Sequence, residues 1–121
     1  MSKIVINASS PNVSEKATLA LLEGGFVANS ASIQYNLRKG ASFDEDFHKY
    51  PLILEGRLAG CPTIIYVNSL SAGFGNTGSY ALVKILNTAG FSFDEKNILT
   101  GRLLNHSTGM IEFKIAKTPD V

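Results

Sequence analysis

Cysteine, clustered positive charge and long apolar runs are what this chain has least of, and each shortage removes a class of function. Cys61 is the only cysteine in 121 residues, so no intrachain disulfide can form and no Cys-x-x-Cys metal or redox pair exists. Ahead of Pro62 and a strand-like run, Cys61 reads as a small buried hydrophobe, not a catalytic thiol. Lys and Arg number 11 against 10 Asp and Glu, a net charge of +1, and Arg38-Lys39 is the only adjacent basic pair. Duplex nucleic acid is therefore not an expected partner, because neutralising a phosphate backbone calls for a basic stripe. No apolar stretch approaches a membrane span and no basic segment leads into one, so a cytoplasmic protein without a membrane partner is expected. Without a Gly-x-Ser-x-Gly elbow or similar context, no Ser-His-Asp triad can be assigned among the many serines.

What remains is ordinary globular material with 45% hydrophobic and 17% charged residues. At this length the chain, residues 1–121, builds one domain around one core. Charge this low implies hidden surface, and a homodimer hides it most simply. Strand-borne aromatics such as Tyr35, Tyr66 or Phe113 would be buried there.

The chain also repeats itself. Ile4-Val5-Ile6-Asn7 leads through a Ser-rich loop into an apolar run ending at Gly25-Phe26, and Ile65-Tyr66-Val67-Asn68 leads through a Ser/Gly-rich loop into one ending at Gly90-Phe91. Ser42-Phe43-Asp44-Glu45 is echoed by residues 92–95, and Ile53-Leu54-Glu55-Gly56-Arg57-Leu58 by Ile98-Leu99-Thr100-Gly101-Arg102-Leu103. Such self-similarity reports one supersecondary unit used twice. Aligning by element order and aligning by the six-residue echo give different matches; element order is preferred, since short identities arise by chance.

Periodicity predicts strands over residues 3–7, 32–37, 52–58, 63–68, 97–104 and 110–116. A helix capped by Asn12 runs to about Glu23, and a second, capped by Thr77 or Ser79, covers residues 80–88. Gly24-Gly25 and Gly90 stop them. Residues 105–109 form a hairpin loop with a left-handed glycine near its end. The expected fold is α+β: two pseudo-repeated strand-helix-strand-strand units, approximately 4–60 and 64–116, forming a mainly antiparallel sheet with two helices on one face.

Gly73-Phe74-Gly75-Asn76-Thr77-Gly78 has the Gly-x-Gly-x-x-Gly spacing between a strand and a helix, where free N–H groups can meet an anion. The 43 residues beyond Gly78 are too few for a doubly wound nucleotide domain, so the pattern points to a connection or to a different anion or ligand site. The first loop, with Asn7, Ser9 and Ser10, matches the second, with Asn68 and Ser71. Both are neutral, rich in amide and hydroxyl groups, and lead into helix N-termini. Arg57 and Arg102, at echoed positions, could add guanidinium forks for carboxylate or phosphate.

Asp44-Glu45-Asp46-Phe47-His48 concentrates the metal-capable side chains, and Asp46 and His48 would share a side of an extended segment. Only His106 could add another histidine, and a solvated acidic loop is the preferred reading. The expected protein is thus non-catalytic, without metal or cofactor. It would bind a partner protein or a small polar or anionic ligand through the two strand-to-helix loops. A small enzyme acting on a phosphate-containing substrate through Asp46 and His48, and a structural assembly subunit of a phage or mobile element, are the alternatives.

Overall fold

A computed structural model describes residues 1–37 and 50–117. The elements are β1 (Ser2–Ile6), α1 (Pro11–Glu23), β2 (Val27–Asn36), β3 (Leu52–Leu58), β4 (Cys61–Val67), α2 (Thr77–Thr88), α3 (Lys96–Leu99) and β5 (Met110–Ala116). The strands form one five-stranded sheet in the order β1-β4-β3-β2-β5. β1 pairs with β4 in parallel and every other neighbour is antiparallel. This is the mainly antiparallel α+β sheet expected, with α1 and α2 side by side on one face.

Alternation along the strands decides which face those helices cover. Ile6, Ile65, Val67, Leu52, Leu54, Ala31, Ile33 and Ile111 are buried beneath Leu82, Ile85 and Leu86 of α2. Each of these Ile, Val and Leu side chains contributes about 1.5–3 kcal/mol by leaving water. The opposite face carries Lys3, Val5, Ile53, Glu55, Ile64 and Tyr66 on β1, β3 and β4, none of them fully buried. Lys3 lies 5.0 Å above the Tyr66 ring, and Tyr50 meets the same ring edge-on. A bulge between Ala28 and Ser30 of β2 lies against Gly56, where any Cβ would collide with the Val27 carbonyl.

Both helices start earlier than expected. Ser10, not Asn12, caps α1, its Oγ accepting from the Val13 N–H, and Pro11 takes the first helical position, where its missing N–H costs nothing. Glu15 is consequently not a capping-box partner and faces Lys84 of α2 at 3.5 Å. Asn76 caps α2, accepting from the Ser79 N–H at 2.9 Å, in place of Thr77 or Ser79. The stops fall at the expected glycines: Gly25 and Gly90 take φ of 109° and 90°, a region open to glycine.

The strand expected at residues 97–104 does not form. Residues 96–99 make the short helix α3, followed by turns, with Asp94 Oδ1 accepting from the Lys96 N–H at 3.0 Å. β5 pairs with β2 of the first half and with no strand of its own half, so the second half has no counterpart to the β2–β3 pair. What recurs is the strand–loop–helix–Gly–Phe part alone. Tyr35 points into the core, 7% exposed, beside Phe74, and so cannot form a dimer surface; Tyr66 and Phe113 stay half-buried. Cys61 is exposed, because the Ala59-Gly60 turn leaves it at the sheet's end rather than in its core. No helix among the described residues is long and apolar enough to cross a membrane.

Candidate functional site

Parallel pairing of Ile6 with Val67 sets the ends of β1 and β4 level, so the loops that follow meet. Asn68 ties them together. Its Oδ1 accepts from the Ala8 N–H at 2.7 Å and its Nδ2 donates to Asn7 Oδ1 at 3.3 Å. Buried Ser14 of α1 donates to the Asn68 carbonyl at 2.7 Å, and Ser69 donates to the Ala8 carbonyl at 2.6 Å. The predicted Asn7 and Asn68 are therefore brought together, but into a staple between loops. Ser9 is exposed beside it, and Ser10 is occupied in capping α1.

The Gly73–Gly78 loop has its own inner network. Ser71, 6% exposed, donates to Asn76 Oδ1 at 2.7 Å and lies 3.1 Å from Ser79 Oγ. Gly73 donates its N–H to the Ile98 carbonyl at 2.6 Å, and a Cβ there would press on Leu37 and Ile111. A Cβ on Gly78 would meet Ser71 Oγ at 2.7 Å. These two glycines allow close packing of loop, helix and core. Gly75 differs: a Cβ there would touch nothing nearer than the Tyr80 hydroxyl at 3.5 Å. Every buried side-chain polar atom among the described residues has a hydrogen-bond partner.

Polar groups that do face solvent gather one step further out. Asn12 and Glu15 from α1, and Gly75, Asn76, Thr77, Tyr80 and Lys84 from the α2 side, line one open depression between the first turns of the two helices. Asn12 had suggested only a cap, and Tyr80 and Lys84 nothing. The signal for the latter pair was their spacing from Thr77, which puts all three on one stripe of α2. The depression carries one cation, Lys84, paired at 3.5 Å with half-buried Glu15, and Asn12, Asn76 and Thr77 place it beside the N-terminal turns of both helices, where the helix dipole is positive.

The arginines lie elsewhere. Arg57 donates to the Gly60 carbonyl at 2.8 Å in the β3–β4 turn, at the sheet end opposite the two loops. Arg102 donates to Asp94 at 2.6 Å in the turn after α3. The Lys96 N–H and then Arg102 hold the Asp94 carboxyl below the usual carboxylate range, while burial raises the Tyr35 phenol above its own. Neither group touches the depression. The Asp44–His48 segment lies outside the described residues; among those described, no three His, Cys, Asp or Glu side chains gather in a metal-holding group. Comparison with family models, with curated proteins and with solved structures yields no match to this chain.

Proposed function

We propose that this protein acts by binding, without chemistry of its own, as a cytoplasmic homodimer. Its ligand is a small polar or anionic molecule, or a polar segment of a partner protein, taken up beside the two strand-to-helix loops, between the helices they lead into. The observation that carries this reading is the shared depression bordered by Asn12, Gly75, Asn76, Thr77 and Lys84 at two helix N-termini. The first-turn N–H groups not used in capping and the Asn12 and Thr77 side chains favour negative charge or carbonyl-rich surface, and the Lys84 ammonium can turn to such a ligand from Glu15, whose carboxylate lines the same depression and offsets part of its charge. Asn7, Asn68, Ser10 and Ser71 serve as the frame that holds the two helix starts in register. Helix-terminus terms of about 0.3–1 kcal/mol each must act together to give useful affinity.

Titration with inorganic phosphate and sulfate, followed by amide NMR, tests the proposal. Shifts should centre on Asn12, Gly75, Thr77 and Lys84. Gly75→Val, for which the backbone leaves room, should weaken them at least tenfold while the remaining spectrum is retained. Shifts confined to the Asp44–His48 segment would overturn the site and favour the enzyme reading.

A further inference from the structure

The free side of β5 carries a pattern that is complementary to itself. Leu37 donates its N–H to the Gly109 carbonyl, and Lys117 donates to the Asn29 carbonyl, at the two ends of the β2–β5 ladder. Odd-numbered residues of β5 thus direct their backbone groups to β2, and residues 110, 112, 114 and 116 direct theirs to the opposite side. At Met110 that side is closed: its carbonyl accepts from the Asn105 N–H and its N–H donates to Thr108 Oγ1. Beyond it, no described residue pairs with Glu112, Lys114 or Ala116 on this edge. Glu112 and Lys114 are both exposed, and neither makes an ion pair among the described residues.

We infer that two copies of this chain join edge to edge through β5, antiparallel, about a twofold axis at Phe113. The inference rests on the homodimer part of the proposal above and supplies its geometry. Only pairings that set even residues opposite even residues satisfy the free backbone groups. An axis at Glu112 would oppose two glutamates and an axis at Lys114 two lysines. The axis at Phe113 sets Glu112 against Lys114 of the second copy, and the reverse, with about four backbone hydrogen bonds between them. Phe113 then faces its own copy at a non-hydrogen-bonded position, where side chains approach most closely, and Ile111 faces Ile115. The other edge, β1, is shorter and carries Lys3 without an acidic residue to oppose it, a common way of discouraging edge pairing.

Sedimentation equilibrium of the full chain, from roughly 5 to 500 µM to cover a small interface, reads the outcome. The wild type should associate to a dimer. Glu112→Lys and Lys114→Glu should each weaken it at least tenfold, because each opposes like charges. The double exchange E112K/K114E should restore it, and an equimolar mixture of the two single variants should form a heterodimer. Circular dichroism should report the same fold in all. A wild type that stays monomeric would overturn both this geometry and the homodimer. A dimer that persists in both single variants, or one that mixing fails to rescue, would overturn the β5 geometry and leave the homodimer standing.

Discussion

The two strand–helix units share their punctuation and differ in what they bury. α1 ends with the Phe26 N–H on the Leu21 carbonyl at 3.0 Å, and α2 with the Phe91 N–H on the Leu86 carbonyl at 3.1 Å; both phenylalanines are buried. Between cap and stop the likeness ends. Ser14 and Thr18 are the buried residues of α1, whereas α2 buries Ala81, Leu82, Val83, Ile85 and Leu86 along with Gly78 and Ser79. The cause is position. β1 is an edge strand and β4 lies one place in, so α2 packs between α1 and α3 while α1 has a helix on one side only. Start and stop signals act within a few residues, but the depth of a helix depends on what stands on either side of it.

Paired substitutions sharpen or break this comparison. Leu21 and Leu86 occupy the same place before the stop, half-buried in one case and fully buried in the other. Leu86→Ala should cost about 2–5 kcal/mol and Leu21→Ala about 1 kcal/mol, read from urea unfolding. Equal losses would mean that the units carry equal weight in the core.

The next effect concerns the staple. Asn68→Ala removes the acceptor for the Ala8 N–H and should cost about 1–3 kcal/mol. Asn7→Ala, at the matching but exposed position, should stay within about 0.5 kcal/mol. A reversed order would show that the first loop, not the second, organises the pair.

The smallest effect lies in the link that only the second unit has. Asp94 titrates below its ordinary value in the fold, chiefly through the Lys96 N–H and then Arg102. Its contribution is therefore present above the unfolded-state pKa and is lost as pH falls through the lower folded value. Being exposed to solvent, it should account for only a small share of the acid-side loss. Urea midpoints at neutral and acid pH should fall slightly less in Asp94→Asn than in the wild type, and identical falls would show that the Asp94 contacts do not bear on folding.

Much of the architecture was legible in local chemistry. β-branched runs at Ile4–Ile6 and Ile64–Val67, the glycines at 24–25 and 90, and the alternation from Ile33 to Leu37 each specify backbone geometry within a few residues, so strands, helix stops and fold class followed from them. The candidate site was half legible. Its Gly75, Asn76 and Thr77 stand in a recognisable strand-to-helix loop, but Asn12 and Glu15 join them only because α1 and α2 lie side by side. That adjacency follows from pairing β1 with β4, a contact between residues about sixty apart. In the same way, nothing local distinguishes Asn7 and Asn68 as halves of a staple from a pair of ligand donors.

Ile53-Leu54-Glu55-Gly56-Arg57-Leu58 and Ile98-Leu99-Thr100-Gly101-Arg102-Leu103 differ at one position, yet the first lies in strand β3 and the second is the last two residues of α3 and the turn after it. Each segment buries one residue of its isoleucine–leucine pair fully, Leu54 in the first and Ile98 in the second. Which backbone each adopted was left to the surroundings. β3 finds ladder partners on both sides in β2 and β4. Residues 96–103 join no strand of the sheet; Ile98 is buried in the core beside α2, and its carbonyl receives the Gly73 N–H. A strand requires neighbours to satisfy its backbone groups and a helical turn satisfies them within itself, so only the tertiary structure could decide between them.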